Sequence, residues 1–201
     1  MTRRPLLALL AAAAFATATP PTASPQHAAA PQRPQPPPRE AAQYNFLLGE
    51  WQLAVKVPPP SLAARIHGMP KLVGTWKAWR GLDGWGVTDE LRITDEAGNP
   101  MSLSHNVRYY DPARGHWVVS ALDVYRRQLS TPTAVWRDGQ MHLSSRGTDP
   151  QGRAYVSRTR IFAIQPDSFR LQQDRSFDGG KSWDEAALEI EARRTAPAAR
   201  R

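Results

Sequence analysis

Residues 85–124, WGVTDELRITDEAGNPMSLSHNVRYYDPARGHWVVSALDV, hold the pattern that decides the fold. Three runs rich in β-branched, aromatic and alternating apolar side chains lie in this stretch, at 85–93, 102–110 and 116–124. The segments between them contain Asp, Asn, Gly and Pro, which tolerate a positive φ or preset a turn. Short strands separated by such turns predict an antiparallel sheet.

The same pattern of short strands separated by turn residues extends in both directions along the chain. No stretch of 10 to 15 residues between the strands has helical periodicity, which argues against parallel βαβ units. A long meander closes most naturally into a barrel, because closure removes the exposed edges of the sheet. The sequence therefore predicts an all-β fold, an antiparallel up-and-down barrel of about ten strands. The predicted strands are 50–57, 72–80, 85–93, 102–110, 116–124, 132–136, 140–147, 153–164, 168–177 and 183–193.

One insertion interrupts this pattern of strands and turns between the first two strands. It runs from Pro58 to Gly68, with Ser61 suited to cap a short helix and Gly68 suited to end it. We therefore expect a short lid helix at the rim of the barrel.

The first 18 residues read as a signal peptide. Arg3 and Arg4 precede an apolar run of about eleven residues, and the segment Ala16-Thr17-Ala18 supplies small residues before a cleavage site. The run is shorter than the roughly 20 residues of a membrane span. We expect no membrane span and a periplasmic or secreted protein, and the paired arginines leave open either the general or the twin-arginine export route.

The remaining chain divides by composition and charge. Residues 19–40 predict a disordered Pro-rich linker, residues 41–194 the barrel, and residues 195–201 a disordered basic tail. The chain carries a net charge of +8, but eight of its 26 cations lie in the terminal segments, so residues 41–192 hold 18 cations and 17 anions. No concentrated basic face is required, and we expect no nucleic-acid partner. The oligomeric state is left open.

The start of the first predicted strand carries a resemblance to a known family. Phe46-Leu47-Leu48-Gly49-Glu50-Trp51 contains the G-x-W arrangement that opens lipocalin-type barrels. With the strand meander that follows, residues 44–193 resemble the bacterial lipocalin-like proteins of unknown function in the calycin superfamily. The resemblance implies that Trp51 closes one end of the barrel, and that Arg193 or Arg194 packs over it.

A second resemblance lies near the C-terminus, where residues 176–183, SFDGGKSW, match the Asp box of sialidase-like propellers. The motif occurs once, and a propeller needs several four-stranded blades. We therefore interpret Asp178 and Trp183 as parts of a hairpin turn.

The sequence contains no complete catalytic or cofactor-binding motif. Gly180-Lys181-Ser182 lacks the earlier glycine of a P-loop, since Arg175 stands there, and the chain has no G-x-S-x-G, no H-E-x-x-H and no cysteine. The histidines show no metal-ligand spacing. Haem-binding nitrobindin-type barrels begin with G-x-W-x-G-x-G, but Gln52, Leu53 and Ala54 follow Trp51 here. We predict no cofactor and no metal.

Alternation within the strands predicts which residues face the barrel interior. Most of them are apolar, but four polar side chains interrupt the pattern. Buried charge must be paired or must lie near a wet cavity, so these residues belong either to a structural network or to a ligand pocket. The predicted ligand-binding residues are Trp76, Asp89, Asp123, Ser157, Gln173 and Arg175.

These observations predict an exported, non-catalytic protein that binds a small apolar or amphipathic ligand inside its barrel. One alternative is a small barrel enzyme of isomerase, dehydratase or esterase type that uses Asp89 or Asp123 as acid or base. Another is an envelope-structural protein whose barrel is filled by its own side chains. A cavity of several hundred Å³ would favour a pocket, whereas a filled interior would contradict both pocket hypotheses.

Overall fold

A computed structural model describes residues 35–59, 66, 68, 70–149 and 151–195. The predicted signal peptide, most of the predicted linker and nearly all of the predicted tail lie outside these residues. Most of the predicted lid helix also lies outside them, because residues 60–65 and 67 are not described. Within the described ranges, no helix has the length and apolar content needed to cross a membrane.

The described chain is built from strands, with 3-10 helices at Arg39–Leu47 and Leu82–Gly84. The strands are β1 (Gly49–Lys56), β2 (Leu72–Gly81), β3 (Gly86–Asp95), β4 (Pro100–Asp111), β5 (His116–Asp123), β6 (Gln128–Ser130), β7 (Thr133–Arg137), β8 (Gln140–Thr148), β9 (Ala154–Gln165), β10 (Ser168–Ser176) and β11 (Asp184–Arg194).

All strand pairs are antiparallel, and the sheet closes on itself. Strand β1 pairs with β2 on one side and with β11 on the other, and β4 pairs with β5. Strands β6 and β7 both pair with β5 and together occupy one position around the barrel. The prediction of a ten-stranded up-and-down barrel is therefore confirmed.

The predicted strand boundaries agree with the structure to within two residues at every end. The exception is β6, which the sequence pattern does not predict because it is only three residues long. It lies in the segment between β5 and β7, where the alternation of apolar and polar residues is lost.

The 3-10 helix Arg39–Leu47 plugs one end of the barrel. Tyr44 and Leu47 on this helix are fully buried, and the ring of Tyr44 meets the ring of Trp117 edge-on at 4.7 Å between centroids. The indole of Trp117 donates a hydrogen bond of 2.9 Å to Gln43. Strand alternation does not predict this helix, which begins at Arg39, two residues before the expected start of the domain.

Trp51 and Arg194 complete the closure of this end. The Trp51 indole donates to the Leu47 carbonyl at 2.7 Å, and the Arg194 guanidinium lies 4.1 Å above the Trp51 ring. Arg194 Nη1 also donates to the Leu48 carbonyl at 2.8 Å. Gly49 has a φ of +114°, and a Cβ there would lie 2.6 Å from Arg194 Nη1. The glycine of the G-x-W motif thus makes room for the arginine. Of the two arginines expected over Trp51, Arg194 is the one that stacks on it.

Candidate functional site

A cavity of about 180 Å³ lies inside the barrel. Its walls combine ten apolar side chains with six polar ones. The apolar residues are Trp76, Leu91, Val119, Ala121, Pro132, Leu143, Ile161, Leu171, Leu188 and Ile190, and the polar residues are Ser104, Asn106, Arg108, Ser145, Thr159 and Gln173. Apolar walls with a few convergent polar groups are typical of small-molecule sites.

A buried polar cluster centred on Asp89 borders this cavity. The Asp89 carboxylate is inaccessible to solvent and accepts hydrogen bonds from Trp76 Nε1 at 2.7 Å and Asn106 Nδ2 at 2.8 Å. Arg108 donates to both of its oxygens, from Nε at 2.5 Å and from Nη2 at 3.1 Å. Both carboxylate oxygens are therefore engaged, and the paired charges leave the cluster neutral overall.

The electrostatics of this cluster favour a permanently charged Arg108. Burial by itself lowers the pKa of the Arg108 guanidinium, but its interactions with Asp89 and Tyr44 together outweigh burial and raise that pKa above its usual value. The fully buried Tyr44 ring lies 5.2 Å from the Arg108 guanidinium carbon. Burial raises the pKa of the Tyr44 hydroxyl, and the neighbouring Arg108 guanidinium opposes this rise without cancelling it. Tyr44 therefore stays neutral.

Arg108 also presents a donor to the cavity. Its side chain belongs to the cavity wall, and its Nε and Nη2 donate hydrogen bonds to Asp89. The Tyr44 hydroxyl is a further partner of this guanidinium. A guanidinium has five N–H donors, so Arg108 keeps donors from which a ligand oxygen can accept.

Asn106 and Arg108 were missed at the sequence level for a physical reason. On β4 the apolar side chains Leu103, Val107 and Tyr109 face outward, and the alternate polar side chains face the interior. Hydrophobic alternation thus points to the wrong face of this strand. The available signal was the unpaired Asp89 expected on the neighbouring strand, which requires a buried cation nearby.

Gln173 and Arg175 form a polar row next to the cavity. Gln173 lies in the cavity wall and donates to Thr159 Oγ1 at 3.3 Å, while Arg175 Nε donates to Gln173 Oε1 at 3.1 Å. The Arg175 guanidinium lies 4.9 Å from the centre of the Tyr155 ring. Arg175 is not part of the cavity wall, so it acts on the cavity through Gln173.

The other predicted residues lie in different settings. Ser157 is buried, and its hydroxyl is 2.7 Å from the Ser145 hydroxyl at the cavity wall. Asp123 lies at the end of β5, where its carboxylate accepts bonds from the backbone N–H and side chain of Arg126 at 3.0 and 3.3 Å. The structure therefore places Trp76 and Gln173 in the cavity wall, and Asp89, Ser157 and Arg175 each bonded to a residue of that wall. Asp123 holds a turn away from it.

The Asp178 hairpin has the contacts of a tight turn. The Asp178 carboxylate accepts bonds from the Ser176 and Ser182 hydroxyls at 2.7 and 2.6 Å, and from the backbone N–H groups of Lys181 and Ser182. The bonds from Ser182 and Ser176 hold the pKa of Asp178 well below its usual range. Trp183 donates to the Gly180 carbonyl at 3.1 Å. These contacts of the carboxylate all lie within the turn.

No group of three or more His, Asp or Glu side chains converges to hold a metal ion within the part of the chain that the structure describes. No protein-family model and no curated protein matches this chain. The class of protein is thus set by its architecture, a closed ten-stranded antiparallel barrel with a small polar-and-apolar cavity at its centre.

Proposed function

We propose that this protein binds a small amphipathic molecule inside its barrel and does not transform it. The ligand has an apolar body that contacts the Leu, Ile and Val side chains of the cavity, and a polar group that hydrogen-bonds to polar side chains of its wall. The observation that carries this proposal is a cavity inside the barrel whose wall combines ten apolar side chains with six polar ones.

The size of the cavity limits the part of a ligand that it can hold. A cavity of about 180 Å³ is smaller than the several hundred Å³ of a drug-sized site. It is comparable to an engineered apolar cavity of about 150 Å³ that binds benzene. The interior therefore suits a ligand, or a ligand segment, of roughly six to eight non-hydrogen atoms.

The enzyme alternative receives little support from the two interior aspartates. Asp89 is fully buried with both oxygens bonded, and Asp123 is bonded to Arg126 at the end of a strand. A general base must reach the proton that it removes. Neither carboxylate is available for this role in the described arrangement.

We further propose that the protein is distantly related to lipocalin-like barrels and is exported from the cytoplasm. The packing of Arg194 on Trp51 supports a distant relationship to lipocalin-like barrels, in which the resemblance implies the same contact. The signal-peptide pattern in residues 1–18 supports export to the periplasm or beyond. A binding protein outside the cytoplasm would meet its ligand there.

Calorimetric titration with hexanoate and hexanol tests the binding proposal. We expect both probes to bind the wild-type protein, because each has a short apolar chain and an oxygen acceptor. The variant Ala121→Phe should abolish binding, since it places a phenyl ring in the cavity. Ser120→Phe is the matched control, because Ser120 directly precedes Ala121 on β5 and is exposed.

The outcomes separate binding from folding. Thermal melts establish that both Phe variants fold, and Ser120→Phe should bind as the wild type does. Arg175→Leu should weaken hexanoate more than hexanol if the charge of Arg175 orients the ligand. Equal affinity of the wild type and Ala121→Phe for both probes would contradict an interior site.

A further inference from the structure

The wall of the barrel is discontinuous between β6 and β8. Strand β7 pairs with β8 from Thr133↔Ser144 to Arg137↔Gln140, and no register joins β6 to β8. Beyond Ser144, the pairing of β8 is with β9 alone, from Ser145↔Ser157 to Thr148↔Ala154. The chain leaves this position at Thr131 and Pro132, and the Pro132 carbonyl accepts a bond from Val119 N at 2.9 Å. A cleft follows from this break in the ladder.

This wall cleft, of about 700 Å³, is lined by Leu129, Ser130, Thr131, Thr133, Ser144, Ser145, Arg146, Val156, Ser157, Arg158 and Trp183. Six of these eleven side chains carry a hydroxyl group. Leu129 is the most exposed large apolar residue among them, at 71%. The cleft is therefore polar on its sides, with an apolar residue at its edge.

The wall cleft and the interior cavity meet at Ser145. This residue belongs to the walls of both, and its hydroxyl is 2.7 Å from that of Ser157, which lines the cleft. On the opposite side, Pro132 lines the cavity while Thr131 and Thr133 line the cleft. One elongated molecule can thus contact both spaces.

The cleft has one arginine without an acidic partner. Arg158 donates to Asp174 at 2.8 Å and lies 3.8 Å from Glu185. Arg146 is exposed, and no carboxylate of the described residues lies within ion-pair distance of it. An uncompensated cation among hydroxyl groups favours an anionic group of a ligand.

From this geometry we infer that the ligand is an anionic amphiphile that lies across the barrel wall. Its apolar chain occupies the interior cavity, and its anionic group lies in the wall cleft beside Arg146. The inference rests on the proposed function for the position of the apolar chain. It adds a second subsite, a passage through the side of the barrel and a chemical class of ligand.

Calorimetric titrations with dodecanoate, dodecanol and hexanoate test this inference. A twelve-carbon acid is long enough to span both spaces, whereas hexanoate fits the cavity alone. We expect Arg146→Gln to weaken dodecanoate about threefold to tenfold, as for the loss of a partly exposed ion pair, and to leave hexanoate unchanged. Arg193→Gln is the matched control, because Arg193 is an exposed strand arginine with no ion pair among the described residues.

A second variant tests the subsite by reducing the volume of the wall cleft. Thr131→Trp places a large side chain in the wall cleft without entering the cavity wall, and Thr131 is exposed and follows the end of β6, so the variant should fold. It should weaken dodecanoate and dodecanol and spare hexanoate. If dodecanol binds the wild type as tightly as dodecanoate, the anionic class is wrong.

The remaining outcomes distinguish this inference from the proposed function. Unchanged dodecanoate affinity in both Arg146→Gln and Thr131→Trp, with binding lost in Ala121→Phe, would overturn the cleft subsite and leave interior binding intact. Absence of binding by all three probes to the wild type would overturn both.

Discussion

Asp89 and Arg108 place opposite charges in the interior of the barrel, and each side chain is at most 5% exposed. Removing two charges from water costs several kcal/mol per ion, and their attraction repays this only when the remaining hydrogen bonds are also made. Here Trp76 and Asn106 complete the shell of Asp89. The pair therefore depends on both members being present.

Single replacements within this pair should destabilise the fold strongly. We expect Asp89→Leu or Arg108→Leu to lower the free energy of unfolding by about 3–5 kcal/mol, because each leaves one buried charge without its partner. The double variant Asp89→Leu/Arg108→Leu should lose much less free energy of unfolding than the sum of the losses in the two single variants. Urea unfolding of the three variants gives this comparison, and an additive double variant would contradict the coupling.

Sequence reasoning identified one half of this pair. Asp89 interrupts an apolar alternation on β3, so its inward position could be predicted from the pattern. Arg108 could not, because the outward residues of β4 are the apolar ones. The periodicity of apolar residues does not show which way a polar residue on a strand points. Its orientation depends on the charged or polar partner on the neighbouring strand.

At the scale of secondary-structure elements, the turn between β10 and β11 depends on a single carboxylate. Asp178 accepts four short hydrogen bonds from within residues 176–182, and these bonds lower its pKa in the folded protein. In the unfolded chain this group titrates near its ordinary value, about 3.9. Folding therefore favours the ionised form of Asp178.

The sign of the pH dependence follows from this difference. Because the folded-state pKa of Asp178 is the lower one, its contribution to stability is present above about pH 4 and is lost as the pH falls through the folded-state value. The free energy of unfolding should therefore decrease from pH 5 to pH 2. Asp178→Asn and Ser182→Ala should both flatten this decrease.

Unfolding curves at each pH measure this effect. Ser182→Ala is the sharper control, since it keeps the carboxylate and removes one of its hydroxyl donors. An unchanged pH slope in both variants would show that the turn does not supply the acid sensitivity.

The elements differ in how far the sequence could predict them. Turn residues and alternation locate ten strands within two residues, because both signals are local. The 3-10 helix Arg39–Leu47 was not predicted, since it is held by contacts with distant residues, such as the bond from Trp117 to Gln43. The short β6 depends in the same way on its pairing with β5.

At the scale of the whole molecule, the closed barrel followed from the number of strands and their short connections. The cavity did not, because its volume depends on how sixteen side chains from most of the strands fill the centre. The sequence left open a filled interior and a cavity of several hundred Å³, and the volume of this cavity lies between the two. Alternation names the side chains that face inward but does not give the space between them.

Export is a prediction that rests on residues 1–18. When the full-length protein is expressed in a bacterium with its native leader, we expect cleavage after Ala18, so that the mature chain begins at Thr19. N-terminal sequencing of the protein from the periplasm or medium identifies the site. Replacing Ala16 and Ala18 with Leu should block processing, and recovery of the uncleaved chain from the cytoplasm of wild-type cells would contradict export.

Interior binding is the central claim, and native mass spectrometry of the protein purified from its own host tests it most directly. We expect the wild-type protein to carry a small molecule that dissociates on activation, and the Ala121→Phe variant to have the mass of the polypeptide alone. Ser120→Phe should retain the molecule. Identical masses for the wild type and Ala121→Phe, each equal to the polypeptide, would contradict a ligand held in the barrel.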